Sequence, residues 1–345
     1  MRMDKLLNKT RGDKVIWAIV VLLAMVSLLV IYSSTGSLAY RMSKSTESYL
    51  FRQVALVAVG IAVIYFAHRV NYTIYSRVAL ILFLIAIPLL IYTLFFGVRL
   101  NEGSRWIRLP IVRLTFQTSD LARLALFMYL SRLLSKKQEV IKSFRNGFVP
   151  VIVPVAIVCL LIAPANLSTA LLIGATSMLL LFIGRVRTWH LLLVTGIAAI
   201  PVALLIMAAM VRHQAGPQTE AASVSSSGLF VRVDTWINRV ENFIYGGKEL
   251  NGDDNYQINQ AKIAIAKGGW MGLGPGNSEQ RNFLPHPYSD FIYAIIIEEY
   301  GLAGGAFIVF IYLVFLFRSI RIFRKCPYSF GAFLALGLSF TLVIQ

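Results

Sequence analysis

Nine apolar blocks, each close to the length that crosses a membrane, dominate this sequence. A spanning helix needs roughly 20 mostly apolar residues. Blocks of this length predict an all-α fold, a polytopic membrane helix bundle. Only 14% of the residues are charged, against about 25% in soluble domains. The predicted spans are 15–33, 51–68, 74–96, 118–135, 148–164, 167–184, 188–211, 290–317 and 328–345.

Composition excludes several other classes of protein. With 57% hydrophobic residues, the chain is not disordered, collagen-like or an ordinary cytosolic enzyme. Its two cysteines, Cys159 and Cys326, form no disulfide framework. The first block is not a signal peptide, because it is too long and further spans follow it. Since the chain ends at Gln345 inside the ninth block, we expect at least one further helix beyond it.

The distribution of basic residues predicts the orientation. Lys and Arg accumulate in cytoplasmic loops, so the net charge of +17 indicates membrane topology and not a nucleic-acid partner. A cytoplasmic N-terminal tail, 1–14, puts most basic turns on one side. The outer segments are then the Arg-rich loop 97–117 and the large loop 212–289, within one integral-membrane domain, 1–345. In the large loop, stretches around 229–244 and 256–267 are amphipathic and predict short helices on the outer surface.

The outer loop 97–117 breaks the charge rule, because it contains four arginines and one acid. Arginine presents a planar fork that suits phosphate, so Arg105 and Arg113 are candidates to bind a lipid-borne pyrophosphate. The alternative is that these side chains reach to lipid headgroups, with Trp106 in the aromatic belt. Composition alone does not decide between pyrophosphate binding and contact with lipid headgroups.

Acidic and basic residues at two span starts are the other candidates. Asp120 and Arg123 are three residues apart, so they can pair on one helix; they form either a site or a structural ion pair. Asp290 lies where the chain re-enters the membrane and either caps a helix or faces an aqueous cleft. Glu298 lies roughly 12 Å further along, where a carboxylate is costly, and Arg123 is its candidate partner. The four histidines have no metal-ligand spacing.

A set of short motifs, taken in order, resembles the SEDS family (shape, elongation, division and sporulation). They are Gly103-Ser104-Arg105-Trp106-Ile107, Gln117-Thr118-Ser119-Asp120, Tyr256-Gln257, Gly268-Gly269, Gly272-Leu273-Gly274, Leu284-Pro285, Asp290-Phe291-Ile292-Tyr293-Ala294 and Glu298-Glu299-Tyr300-Gly301. The resemblance covers nearly the whole chain. The Gln-Thr-Ser-Asp variant and the 135–138 loop are more similar to the cell-division branch than to the elongation branch.

The resemblance implies a ten-helix bundle and a peptidoglycan glycosyltransferase that polymerises lipid II, with undecaprenyl diphosphate as the leaving group. The family's essential acid falls on Asp290. Its basic residue of the fourth helix falls on Arg123, and its loop arginines fall on Arg113 and Arg232. Together with Arg105, Asp120 and Glu298, these are the expected substrate-binding residues. Asn166 stands where the family has an ionisable aspartate, so a charged role there is lost.

The resemblance also implies partners and alternatives. The expected partners are lipid II, membrane lipids, a class B penicillin-binding protein and other division proteins of the bacterial cytoplasmic membrane at the septum. No cofactor is required by any motif, although Asp290 could hold a divalent cation, Mg²⁺ or Mn²⁺, instead of acting as a base. A lipid II flippase and a non-catalytic division scaffold remain the alternative functions.

Overall fold

A computed structural model describes residues 12–41, 46–100, 103–108, 115–215, 229–245, 253–284 and 289–345. Within these ranges the backbone is mostly helical, as the apolar blocks predict. The helices are α1 Lys14–Arg41, α2 Thr46–Ala67, α3 Tyr72–Phe96, α4 Thr118–Lys136, α5 Val149–Ile162, α6 Leu167–Ile183, α7 Thr188–Ala215, α8 Leu229–Tyr245, α9 Asp253–Gly268, α10 Ile292–Lys325 and α11 Ser329–Ile344.

Six segments of the described chain are long and apolar enough to cross a membrane. They are Lys14–Ser34, Leu50–Ala67, Tyr72–Phe96, Phe144–Ile162, Thr188–His213 and Ile292–Lys325. Helices α6 and α11 are apolar but shorter, and α4 carries four charged residues in its 19. Each of the nine predicted spans thus corresponds to a helix, while spanning by all nine remains a prediction.

A small antiparallel sheet corrects the all-α prediction. Strands β1 Val98–Leu100, β2 Gly103–Arg108 and β3 Thr115–Gln117 pair in the order β1-β2-β3, with Trp106 opposite Gln117. The sheet lies in the Arg-rich loop, which the sequence analysis left without secondary structure. Strands β1 and β3 have three residues each, against a mean of about five to six, so periodicity gives little signal for them.

The chain divides into two compact units. The first unit comprises Met1–Asn71 and Glu249–Arg318, and the second unit comprises Tyr72–Lys248 and Ser319–Gln345. In the second unit, α4 packs against α3, α5 and α11. Its inward face is apolar and fully covered, because Ala122, Leu126, Phe127 and Leu130 have no exposed surface. Close packing of this kind holds the polar start of α4 in a fixed place.

The two amphipathic stretches of the large loop form helices, as predicted. They are α8 in the second unit and α9 in the first. Helix α8 packs against α7, and His213 of α7 lies 3.1 Å from the carboxylate of Glu241 of α8. The position of both helices on the outer side of the membrane remains a prediction.

Helix α10 is longer than predicted and is broken inside. It continues beyond the predicted end at 317 to Lys325, and its backbone is non-helical at Gly301, where φ is +71° and ψ is −178°. Only glycine adopts such a positive φ at little cost. The apolar pattern of the helix continues through this position, so the sequence gives no sign of the break.

Candidate active site

Asp290 lies in an exposed turn directly before α10, the position that its sequence context predicts. Within the described part of the chain, its carboxylate accepts no hydrogen bond. The amide of Ile292 instead donates to the carbonyl of Ser289, at 3.4 Å. The N-terminus of a helix carries partial positive charge and favours a nearby anion. An accessible carboxylate in this setting can accept a proton from a bound hydroxyl or hold a cation.

The glycine-rich segment 268–274 of the same unit forms backbone hydrogen bonds with α10 on both sides of the break. The carbonyls of Glu298 and Glu299 accept hydrogen bonds from the amides of Leu273 and Gly274, both at 2.9 Å. In return, the amides that follow Gly301 donate to the carbonyls of Gly269 and Trp270, at 2.9 and 3.3 Å. Four bonds to the glycine segment thereby satisfy backbone groups that an unbroken helix would pair internally.

These backbone hydrogen bonds between 268–274 and α10 require glycine at the points where the two segments approach most closely. A Cβ on Gly268, Gly272 or Gly301 would lie 2.1–2.2 Å from a backbone oxygen of the opposite segment. Such distances are far inside van der Waals contact, so each glycine permits the backbones to meet. The glycines therefore permit tight backbone turns against a neighbouring helix.

Glu298 is fully buried, with no exposed surface, and both of its carboxylate oxygens are bonded to the segment before Asp290. They accept hydrogen bonds from the Ser278 hydroxyl and from the amides of Glu279 and Gln280, at 3.1 and 3.2 Å. Glu298 is thus satisfied within its own unit and does not require the predicted pairing with Arg123. The carboxylate oxygens of Glu298 already accept hydrogen bonds from residues 278–280. Because the side chain is buried, no face of Glu298 is open to a substrate in this structure.

The neighbouring Glu299 ties the same region to α1. Its carboxylate, 1% exposed, accepts a hydrogen bond from the Ser33 hydroxyl. The guanidinium of Arg281 donates to the Ser33 carbonyl at 2.6 Å. Ser33, Ser278 and Arg281 were not predicted, because polar residues that satisfy a buried acid give no signal in the sequence unless the fold is known.

In the second unit, the predicted pairing of Asp120 and Arg123 is confirmed, with 3.2 Å between the guanidinium and the carboxylate. Asp120 is half exposed. The guanidinium also donates to the side chain of Gln345. The start of α4 is further ordered by Gln117, whose side-chain amide donates to the Ser119 hydroxyl at 2.8 Å. This arrangement leaves one carboxylate and one guanidinium at a helix start.

The remaining predicted arginines lie partly outside the described residues. Arg113 falls in such a segment. Arg105 is in β2 and Arg232 is in α8, but their side chains are not among those described. The structure therefore places Asp290 and Glu298 in the first unit, and Arg105, Asp120, Arg123 and Arg232 in the second.

A shallow cavity lies beside the start of α4 in the second unit. It is lined by the ends of α3 and α5 and the beginnings of α4 and α6, with Thr93, Thr118, Ser119 and Asn166 as its polar residues. The Asn166 side chain accepts a hydrogen bond from the amide of Thr169 at 3.3 Å. Asn166 is thus an N-cap of α6, a role that needs an oxygen but no charge.

A divalent cation at Asp290 is the alternative to its role as a base. No three His, Cys, Asp or Glu side chains among them are grouped so as to hold a metal ion. Since Mg²⁺ can be held by one or two carboxylates together with waters and substrate phosphates, cation binding by Asp290 stays a prediction.

Comparison with known proteins decides the family. The profile of the FtsW/RodA/SpoVE family, described as a cell cycle protein family, matches residues 13–345. The chain belongs to this family. The match confirms the SEDS resemblance, and with the apolar helices above it makes the chain a multi-pass membrane protein.

Curated members of the family are similar over nearly their whole length. Stage V sporulation protein E of Bacillus subtilis is 29% identical over 344 residues, which cover 98% of this chain and 86% of that protein. A probable peptidoglycan glycosyltransferase FtsW of Geobacter metallireducens is 30% identical over 339 residues, or 97% and 83% of the two chains. Sporulation and FtsW-named members are thus about equally similar to this SEDS chain.

Solved structures confirm the SEDS fold. Rod shape determining protein RodA of Thermus thermophilus matches 97% of this chain and 83% of its own, with a TM-score of 0.59 and 18% identity. A chain from a structure on the coordination of polymerization and crosslinking by a peptidoglycan synthase complex matches 94% and 83%, with a TM-score of 0.64 and 20% identity. At these identities the likeness concerns the fold alone.

Proposed function

We propose that this chain is a peptidoglycan glycosyltransferase that polymerises lipid II at the outer face of the bacterial cytoplasmic membrane. The observation that carries the proposal is the exposed carboxylate of Asp290 at the head of α10, which is paired with no residue in the described part of the chain. The relatives of the chain include probable peptidoglycan glycosyltransferases. The proposed orientation has the N-terminus in the cytoplasm, which follows from the basic residues of the tail and short turns.

The chemistry requires one base and one site for a diphosphate. Asp290 takes the proton of the acceptor sugar hydroxyl, whose oxygen attacks the anomeric carbon of the donor. The bond from that carbon to the diphosphate oxygen breaks, and undecaprenyl diphosphate leaves. One displacement inverts the anomeric centre. Arginine side chains stabilise the charge that develops on the leaving group; Arg123 is the candidate whose position is described, and Arg105, Arg113 and Arg232 are the others.

Asp120 has a supporting role. Asp120 orients the Arg123 guanidinium through their 3.2 Å contact, so it acts on the substrate through that arginine. The proposed partner is a class B penicillin-binding protein, which would crosslink the strands that this chain makes; a similar fold occurs in a peptidoglycan synthase complex. By analogy with the FtsW-named relatives, we propose septal synthesis during division as the cellular role.

Polymerisation of purified lipid II by the detergent-solubilised protein tests the proposal. We expect glycan strands from the wild type and none from Asp290→Asn. Transport of labelled lipid II across liposomes, measured in parallel, separates a flippase: transport without polymerisation would contradict the proposal. Absence of both activities, with cell growth that tolerates loss of Asp290 and Arg123, would favour a scaffold.

A further inference from the structure

Hydrogen bonds of Glu298 join the two ends of the chain segment 278–298, which contains Asp290. The closed segment is called the ring below. The carboxylate lies eight residues after Asp290 and binds the chain 18 to 20 residues before itself, at Ser278, Glu279 and Gln280. The segment that leads into the exposed turn and the helix that leaves it are therefore joined by side-chain hydrogen bonds. The flexibility of a chain segment falls when its ends are held together.

The burial of Glu298 makes these bonds obligatory. A buried carboxylate is unfavourable unless hydrogen bonds replace its lost hydration, and this one has no exposed surface. Two of its donors are backbone amides at the beginning of the short 3-10 helix Gln280–Asn282. The acid thus caps that helix from within α10, since amides at a helix N-terminus lack partners in their own helix.

Further contacts order the segment before the turn. Leu284, the last described residue before Asp290's turn, is 1% exposed. The amide of Arg281 donates to the Ser278 hydroxyl at 3.2 Å, so the serine that binds Glu298 also orders the 3-10 helix. Upstream, the glycine segment is bonded to the break in α10, as described above. The chain before the turn is thus bonded to α10 at two places, 268–274 and 278–280.

We infer that Glu298 is a positioning residue for Asp290. This inference rests on the proposed function, because it assigns Glu298 the task of holding the base in reach of the acceptor hydroxyl. Its buried carboxylate does not touch substrate. A misplacement of about 1 Å in a reacting group costs on the order of a hundredfold in rate, so a ring that loosens by that amount would lower turnover while the diphosphate site stays intact.

Three substitutions in the full chain test whether Glu298 acts by positioning Asp290 or through its own negative charge. Glu298→Ala removes all the bonds that close the ring. Glu298→Gln removes the charge but keeps an oxygen for the two amides and places an NH₂ group that can donate to the Ser278 hydroxyl. Ser278→Ala removes one bond and leaves the acid in place. Glu279→Gln is the matched control, since it breaks only the exposed ion pair of Glu279 with Lys267.

Each variant is assayed for lipid II polymerisation, thermal stability and amide hydrogen exchange over residues 278–291. For Glu298→Ala we expect about a hundredfold lower kcat, a KM within about threefold of wild type, and faster exchange in this segment. Glu298→Gln should retain at least about a tenth of the wild-type kcat, and Ser278→Ala should lie between the two. Glu279→Gln should match the wild type in all three measurements.

The outcomes are distinct. If Glu298→Ala exchanges faster but polymerises normally, the ring does not position the base and the inference is overturned. If Glu298→Gln is as inactive as Glu298→Ala while its exchange is normal, the charge acts directly and the inference is also overturned. If Glu298→Ala does not fold, the kcat of Ser278→Ala decides, and a normal value refutes the role. A wild type that does not polymerise lipid II overturns the proposed function, whereas an active wild type with an active Glu298→Ala overturns only this inference.

Discussion

Among single residues, Asp13 provides a measurable charge effect outside the spans. It caps α1, because its carboxylate accepts hydrogen bonds from the amides of Val15 and Ile16 at 2.8 and 3.4 Å, and it pairs with Arg318 at 2.6 Å. Burial raises the pKa of Asp13, but the hydrogen bonds and the Arg318 charge outweigh it and hold the pKa below the ordinary 3.8. The ionised form is therefore the one that stabilises the fold.

The sign of the pH dependence follows from this lowered pKa. Stabilisation by Asp13 is fully present above the unfolded pKa of 3.8 and is lost as the pH falls through the folded pKa. We expect wild type to melt at a higher temperature than Asp13→Asn at about pH 6, and the difference to shrink toward about pH 3. Thermal unfolding of both proteins in detergent checks this; a difference that grows on acidification would contradict it.

For Asp120 and Arg123, we predict a small contribution to stability. The carboxylate is 51% exposed, and exposed ion pairs contribute about 0.2–1 kcal/mol. A double-mutant cycle of Asp120→Asn and Arg123→Gln should give a coupling free energy of unfolding in that range. A coupling above about 2 kcal/mol would make the pair a structural element. Loss of polymerisation in either variant would then follow from instability and not from the site.

Residue spacing predicted the contact between Asp120 and Arg123 but not the contact between Glu298 and Ser278, for a physical reason. Asp120 and Arg123 pair within one helix turn, so their separation in sequence fixes their proximity. Glu298 is bonded to Ser278, 20 residues away, and only the folded loop brings them together. The sequence analysis therefore assigned the charged Arg123 to Glu298, whereas the acid is satisfied by a hydroxyl and two amides.

At the scale of elements, the break in α10 gives a sharp prediction. Gly301→Ala forces a side chain into a positive φ and places its Cβ 2.2 Å from the Trp270 carbonyl oxygen. Strained backbone costs on the order of 1–3 kcal/mol, and the steric clash adds to it. We expect a clear loss of thermal stability or of folded protein for this variant.

Gly60→Ala is the matched control for Gly301→Ala. Gly60 lies in α2 of the same unit, and a Cβ there would meet no atom within 4 Å. Since alanine is favoured over glycine in a helix by about 1 kcal/mol, this variant should be at least as stable as wild type. Equal melting temperatures for the two variants would show that the break is not required.

The helices were predictable because apolar blocks specify them one at a time. Helices α8 and α9 followed from amphipathic patterns within the large loop, and their existence is confirmed. The sheet β1–β3 was not predicted, because short strands are determined by pairing with one another and not by a local pattern. The break in α10 depends likewise on a second segment, 268–274, that supplies the missing hydrogen-bond partners.

For the whole molecule, the predicted membrane orientation can be tested with one native cysteine. Cys326 follows Arg324 and Lys325 at the end of α10, and positive charge predicts the cytoplasmic side. A membrane-impermeant maleimide should leave Cys326 unlabelled in spheroplasts and label it after lysis. Tyr256→Cys, at an exposed position of α9 in the large loop, should react in both conditions. Labelling of Cys326 before lysis would reverse the orientation.

The central claim is that the exposed carboxylate of Asp290 is the base of a lipid-linked sugar transfer. Its most direct test is the rate of strand synthesis from purified lipid II by wild type and Asp290→Asn, with Asp234→Asn, an exposed acid of α8, as control. We predict a loss of at least about a hundredfold for Asp290→Asn, as removal of a general base entails, with unchanged melting temperature and a fully active control. Synthesis by Asp290→Asn at the wild-type rate would contradict the claim.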